Sequence, residues 1–290
     1  MAGIGKLLVA GGGVAGLTAA AALHRHGFTT ELVERQQTWH ALGAGFLAHA
    51  NGMRMLRSLG LAEGVMNAGA VVRRWQFCDE HGEVLSETDL EALWRDTGPC
   101  IGIERTKLQR ALLPGVTNVR CRLGTAVTSL VQDGCSVSVG FSDGSSSAYD
   151  LVVGADGIRS TGRAQIVTTA APSDLGAMNW RSVAPIRPAG LTALQLYLGH
   201  GCVFGLVPLG AGRTYGFAYV VQPRLHDPPE DASTGFANAL RRSVCACRSI
   251  WPPSSGTTRS FAQPWNGWNP KNGTAVGWCW SAMLPMPARP

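Results

Sequence analysis

Charge is scarce in this sequence. Only 15% of its 290 residues are Asp, Glu, Lys or Arg, against about 25% in an average globular protein, which excludes a disordered or coiled-coil chain. Its 37 glycines follow no three-residue period, so a collagen-like chain is excluded too. No apolar run reaches the ~18 residues a membrane span needs. The opening MAGIGKLLVA lacks the n-region, long apolar stretch and cleavage site of a signal peptide, so the expected location is cytoplasmic. Cys78, Cys100, Cys121, Cys135, Cys202, Cys245, Cys247 and Cys279 include no Cys-x-x-Cys pair and no nearby histidine spacing. They read as reduced thiols, and no metal site is expected. None of the seven histidines forms a hydrolase constellation recognisable by spacing.

Acidic residues are missing from one region altogether. From Cys245 to the end there are four basic residues (Arg248, Arg259, Lys271, Arg289) and no Asp or Glu. The rest of the chain holds 21 basic and 19 acidic residues, so most of the net +6 belongs to the tail. Five of the nine tryptophans lie there as well: Trp251, Trp265, Trp268, Trp278 and Trp280. No basic patch with interleaved aromatics points to nucleic acid.

What is present begins with a nucleotide site. The apolar run IGKLLVA at 4–10 suits a buried parallel strand, GGGVAG follows at 11–16, and LTAAAALHRHG reads as an Ala-rich helix stopped by Gly27. A second strand, TTELVE, runs from 29 to 34. This is a βαβ unit with Gly11, Gly13 and Gly16 at the G-x-G-x-x-G positions, beside Val14 and Ala15. The first glycine permits a tight turn, the second lets a pyrophosphate approach, and the third lets helix and strand pack. The helix N-terminus supplies amide donors to phosphate. Glu34, ending the second strand, can accept from ribose hydroxyls and disfavours a 2′-phosphate, which leaves FAD or NAD.

Later segments separate those two. Gly43-Ala44-Gly45 precedes a helix from about Asn51 to Leu59. GIERTKLQRALL at 102–113 places Arg105 and Gln109 four apart on one helix face. AVTSLVQ and CSVSVGF read as two strands joined at Asp133-Gly134, a hairpin signal, and YDLVVGADGIRSTGR occupies 149–163. From about Gln165 to Val221 the chain turns strand-rich, with NWRSVAPI, LTALQLYLG, CVFGLVPLG and RTYGFAYVV separated by Gly and Pro.

With these residues in view, the chain resembles the flavin-dependent aromatic hydroxylases of the p-hydroxybenzoate hydroxylase type, single-component FAD monooxygenases, over roughly residues 4 to 240. The resemblance rests on GGGVAG with Glu34, the GAG segment, the R-x-x-x-Q helix and GADGIRS at 154–160. It implies an α/β fold: a Rossmann-type FAD/NAD(P)-binding domain with an interleaved, mostly antiparallel β-sheet substrate domain. Residues 1–164 would form the first, with a hairpin segment at about 120–150, and 165–244 the second. It further implies that Arg105 and Gln109 contact the flavin side of FAD and that Arg35 sits by the adenosine. Val127 is carried over as a cofactor contact, and Ala44 and Gly45 lie near the isoalloxazine. Asp156 and Gly157 would serve the pyrophosphate region and the nicotinamide donor. Arg181, Tyr197, Phe204, Tyr215 and Phe217, with Trp180, are the candidates for lining the substrate pocket. The implied chemistry uses NAD(P)H to reduce the flavin and O2 to form a C4a-hydroperoxide, which hydroxylates a small aromatic or heteroaromatic substrate. Epoxidation, antibiotic inactivation and a non-catalytic nucleotide-binding remnant are the competing readings, and the oligomeric state is left open.

One family fingerprint is missing, the glycine–aspartate–alanine–alanine–histidine run that follows the sheet. Where it should stand the chain reads GWCWSAMLPMPARP, residues 277–290. Reading the third base of each codon with the first two of the next restores it. Trp278 into Cys279 must then give Val, Cys279 into Trp280 must give Leu, and ordinary GC-rich codons complete the motif. The expectation is a frameshift near residues 241–247, which leaves 245–290 as an aberrant Trp/Pro-rich tail. With no period of 2 or 3.6, the tail is expected to be unpacked, the closing flavin-domain helices missing, the sheet edge exposed and flavin retention weak.

Overall fold

The structure is a computed structural model that describes residues 5–39, 44–167, 172–221 and 259–267. Its elements, in chain order, are β1 (Lys6–Ala10), α1 (Val14–Arg25), β2 (Thr29–Glu34), β3 (Gly45–Ala48), α2 (Ala50–Ser58), α3 (Ala62–Ala68), β4 (Ala70–Val72), β5 (Arg74–Cys78) and β6 (Val84–Asp89). Then come α4 (Leu90–Leu93), β7 (Cys100–Glu104), α5 (Arg105–Leu112), β8 (Arg120–Leu123), β9 (Val127–Gln132), β10 (Val137–Phe141), β11 (Ser146–Tyr149) and β12 (Leu151–Gly154). The remaining strands are β13 (Ser173–Ala184), β14 (Ala193–Gly199), β15 (Cys202–Pro208), β16 (Thr214–Val221) and β17 (Arg259–Gly267).

The apolar strands β1 and β2 pair in parallel, with β12 and β8 outside them in the order β12-β1-β2-β8. Such a sheet must be covered on both faces. On one side Leu17, Ala20 and Ala21 of α1 and Leu108 and Leu112 of α5 pack against Val9 and Leu32. On the other, Val139, Phe141 and Tyr149 of the small sheet β11-β10-β9 pack on Leu8, Ala10 and Val33. That second contact includes a buried carboxylate. Glu31 of β2 is 4% exposed; the Tyr149 hydroxyl donates to it at 2.9 Å, and Arg122 and Lys6 approach at 3.6 and 3.8 Å. Burial, then the Glu31 carboxylate, pushes the Tyr149 phenol up to about 12, so it remains a donor.

The largest sheet has the order β17-β13-β16-β15-β14-β5-β6. It is antiparallel except where β5 runs parallel to β14. Two of its strands, β5 and β6, come from residues 74–89, so it is built from both sides of the 164/165 division expected from sequence. The third small sheet, β3-β7-β4, joins the halves, and glycines let the backbones meet there. A Cβ on Gly45 would overlap the Tyr215 ring, one on Gly102 the Pro208 carbonyl oxygen, and one on Gly210 the Ala68 carbonyl oxygen.

The tail departs from expectation at one place. Residues 259–267, for which the pattern predicts no element, form β17 and pair with β13, so β13 is not left as an open edge. A long bare edge is a site that chains tend to cover. The other tail residues, and the helices expected to be missing, lie outside the described ones. No helix among the described residues is long and apolar enough to cross a membrane.

Candidate functional site: a dinucleotide cradle facing an aromatic sheet

The glycine loop between β1 and α1 is held from below. Gly11 has φ +112°, a conformation that favours glycine. A Cβ there would overlap the Ala155 carbonyl oxygen, and one on Gly16 the Gly11 carbonyl oxygen. A Cβ on Gly12 would meet Trp39 Cζ3 at 2.6 Å. Gly13 is different: a Cβ there meets nothing within 4 Å. Protein packing explains the first, second and fourth of these glycines, whereas Gly13 faces open space before the N-terminus of α1. That helix has no acidic residue in its first turn and no side-chain cap, so no side chain of its own caps its first amides, which carry the positive end of its dipole. Open space plus uncapped donors fits a pyrophosphate.

Of the residues expected at the cofactor, Glu34, Gln109 and Asp156 stand at this loop. Glu34 Oε2 accepts from the Gly12 N–H at 2.6 Å and Oε1 from the Gln36 N–H at 2.8 Å. Gln109, 8% exposed, donates through Nε2 to the Gly12 carbonyl at 3.3 Å, which ties α5 to the loop. Val14 and Ala15 begin α1. Asp156 Cα stands 3.0 Å from the Cβ position of Gly11, and its carboxylate accepts from Thr161 N–H at 2.8 Å. Gly157 has φ +83°. Arg35 is exposed just beyond Glu34. Val127 follows a segment pinned to the end of β2, where the Thr125 N–H donates to the Glu34 carbonyl at 2.9 Å. Ala44 accepts from the Arg105 N–H at 3.1 Å, and Gly45 pairs with Glu104. Gly43 lies outside the described residues.

Replacing Glu34 by Ala removes two charge-assisted acceptors, each worth about 1.5–3 kcal/mol. The expected result is FAD affinity lowered about tenfold and a lower melting temperature. Glu34→Gln, which keeps one acceptor oxygen, should lie between; flavin-fluorescence titration and thermal melts check both.

The substrate candidates divide by strand parity, because successive side chains alternate faces. Arg181 lies opposite Phe217, and Val183 opposite Tyr215. Phe217 lies opposite Gly205, Gly205 opposite Leu196, and Leu196 opposite Phe77. These share the face that packs on Ala44, Leu47, Val72 and Cys100, the side on which the expected flavin neighbours Ala44 and Gly45 stand. Trp180, Tyr197 and Phe204 belong to the opposite face, in a separate core with Cys78, Leu206 and Ala218. Trp180, Tyr197 and Phe204, expected as pocket lining, instead pack in this separate core. The sequence reading missed Trp75 and Phe77, whose alternation in RWQFC marks one face, and Leu194 and Leu196.

Electrostatics on the cofactor-side face are unusual. The Tyr215 ring lies 5.5 Å from Phe217. Burial raises its phenol while Arg181 and then Arg105 pull it back down. Desolvation and next Arg181 pull the Arg105 guanidinium below its ordinary range. Neither arginine makes an ion pair with a carboxylate among the described residues, although Arg181 Nε donates to Asn179 Oδ1 at 3.3 Å. The neighbouring Arg213 does, on Glu104 at 2.8 Å. His49, at the N-terminus of α2, sits 6.2 Å from the Trp75 ring, and burial lowers its pKa. The unfolded chain then takes up the proton first, so stability is present above about pH 6.5 and lost as pH falls below it. His49→Gln should flatten the fall in melting temperature between pH 7.5 and 5.

Comparisons with known proteins place this geometry. Residues 6–250 match the family described as FAD binding domain. Aurachin C monooxygenase/isomerase of Stigmatella aurantiaca is 33% identical over 230 residues, 79% of this chain and 60% of that protein. FAD-dependent urate hydroxylase of Klebsiella pneumoniae is 32% identical over 224 residues, 75% of this chain and 58% of that one. The chain thus spans about three fifths of the length of these curated relatives. A crystal structure of Klebsiella pneumoniae HpxO with FAD and uric acid superposes with TM-score 0.75 at 27% identity, covering 89% of this chain and 67% of that one. The chain belongs to the FAD-dependent aromatic hydroxylase family of flavoprotein monooxygenases.

Proposed function

We propose that this chain is the FAD- and substrate-binding part of a monooxygenase that uses NAD(P)H and O2 to hydroxylate a small aromatic or heteroaromatic molecule. The observation that carries this is the open cradle at Gly13, joined through β3 and α5 to an aromatic sheet face at Tyr215 and Phe217. FAD, when bound, supplies electron acceptance from the nicotinamide and activation of oxygen toward the ring. The protein's part is binding and exclusion of water. The Gly11–Gly16 loop and the start of α1 hold the pyrophosphate, Glu34 the ribose, and Arg105 with Gln109 the flavin side. Tyr215 and Phe217 position an aromatic ring beside Gly45 and keep water from the reacting carbon. No side chain is assigned as general base, because a phenol or enol on the substrate activates its own ring.

The test is NAD(P)H oxidation by the FAD-saturated chain with a panel of phenolic and heteroaromatic compounds under labelled O2. Stimulated oxidation with one labelled oxygen in the product supports the reading. Saturating FAD with no stimulated turnover favours a nucleotide-binding remnant, and an epoxide or ring-opened product assigns another reaction to the scaffold. The same reading attributes the acid-free tail to a frameshift near residues 241–247. The family match, which stops at residue 250, supports it, and sequencing the gene decides it.

A further inference from the structure

The cofactor-side face is longer than a single aromatic ring. The row Arg181–Phe217–Gly205–Leu196–Phe77 crosses β13, β16, β15, β14 and β5 in register. Four strand spacings of about 4.8 Å give roughly 19 Å from end to end. A second row, Val183–Tyr215–Val207, runs beside it, and Leu194 opposite Trp75 continues the same face. Chemistry changes sharply along this length. At the β13 end stands Arg181, facing Arg105 and Tyr215 and paired with no carboxylate among the described residues. Beyond Phe217 the side chains are Leu194, Leu196, Trp75 and Phe77, with no charge among them.

Two details keep this face from reading as ordinary core. Gly205 sits in the middle of the row, and a Cβ there would overlap the Phe217 ring, so Phe217 lies flat across β15 instead of standing up and dividing the face. Trp75 and Phe77 stack at 5.9 Å and 17°, which makes a flat apolar platform. Leu196, Phe217, Phe77 and Trp75 are half-buried, and Leu198, farther along the same face of β14, is 39% exposed. The opposite face of the same strands holds Leu206, Phe204 and Ala218 at 0% exposure. The sheet therefore seals its outer face and leaves its cofactor side partly open.

We propose that this row is an elongated, amphipathic substrate slot. Arg181 is a specificity residue that binds an ionised oxygen substituent on the reacting ring, and the Leu196–Phe77–Trp75 platform receives an apolar substituent of that ring. The proposal rests on the aromatic-hydroxylase reading and names its substrate class: planar aromatic compounds with an anionic group at one end and an alkyl or similar apolar extension at the other. A guanidinium without a carboxylate partner has its own charge to offer an incoming anion. Each methylene placed on the platform adds affinity through removal of apolar surface from water.

Three probes separate the two ends: salicylate, 6-heptylsalicylate and the uncharged 3-heptylphenol. Binding is read by tryptophan-fluorescence quenching and by calorimetry, with and without saturating FAD, so that no turnover is needed. In the wild-type chain 6-heptylsalicylate should bind at least thirtyfold tighter than salicylate. Arg181→Gln should weaken both salicylates at least tenfold and change 3-heptylphenol less than twofold, and Arg181→Lys should recover part of the loss. Leu196→Gln, and independently Phe77→Gln, should weaken both heptyl compounds at least fivefold and leave salicylate within twofold. Thermal melts of each variant separate lost binding from lost folding.

Absence of any heptyl preference, an Arg181→Gln effect equal on charged and uncharged probes, or no binding of any probe overturns the slot. FAD titration of the same samples keeps the two readings apart. Normal flavin binding with no heptyl preference sinks the slot alone, whereas failure to bind FAD counts against the cofactor reading.

Discussion

Gly13→Val is expected to lower FAD affinity at least 100-fold, about 2.7 kcal/mol, while the chain stays folded. The reason is the emptiness around this one residue. Its φ of −73° is ordinary for any side chain, and a Cβ there touches no protein atom within 4 Å. The substitution therefore costs the fold only the difference between glycine and valine at a helix N-cap, about 1 kcal/mol. For a chain of this size that is a fall of no more than about 4 °C in melting temperature. The added isopropyl group fills the space that the pyrophosphate needs and blocks the amides of α1. Gly16→Ala is the contrasting case. Its Cβ overlaps the Gly11 carbonyl oxygen, so the fold itself must shift, at about 1–3 kcal/mol. Flavin-fluorescence titration beside thermal melts distinguishes the two effects.

Gly102→Val should have the largest effect on stability. A Cβ at Gly102 overlaps the Pro208 carbonyl oxygen and stands 3.0 Å from Val207 Cγ1. Here β7 crosses the end of β15, and backbone on one side leaves nothing flexible to yield. The branched side chain forces the small sheet away from the seven-stranded one at the seam that also holds Gly45 against Tyr215. We expect a loss of about 3 kcal/mol, and a melting temperature lower by roughly 6–12 °C. Limited proteolysis should cut the joining segments sooner than in the wild type. Gly102 lies on the strand that pairs with Gly45 and leads into Arg105, so FAD affinity measured below the melting transition should also fall, though less than in Gly13→Val, because the glycine loop itself is untouched.

How much of this was legible in the sequence follows from how local each feature is. The glycine loop, Glu34 and the Arg105–Gln109 helix were readable because each depends on neighbours a few residues away. The turn at Gly27, with φ +86°, and the hairpin between β9 and β10 are of the same kind. The substrate face was only half readable. RTYGFAYVV and LTALQLYLG are plainly strands, but which of their alternating residues faces the cofactor depends on register with β13, β15 and β5. That register is set by contacts between residues up to about 120 positions apart, such as Leu194 with Trp75. An aromatic in a strand thus looks the same whether it is Phe217 on the cofactor side or Phe204 in the outer core. Trp75 and Phe77 were overlooked because their strand joins the sheet from well outside the strand-rich stretch. β17 was missed because its pairing with β13, and not its own composition, makes it a strand.

The acid-free tail and the net charge carry no evidence of a nucleic-acid partner, and no cluster of three His, Cys, Asp or Glu among the described residues could hold a metal ion. The dinucleotide cradle is what would make this chain a flavoprotein. Its most direct test is a titration of the purified chain with FAD, following flavin fluorescence and the visible absorbance band, for wild type and Gly13→Val side by side. Weak but saturable binding of FAD by the wild-type chain, with affinity lowered at least 100-fold further in a Gly13→Val chain that remains folded, is the predicted result. No saturable binding by the wild type, or equal binding by the two, would contradict the account.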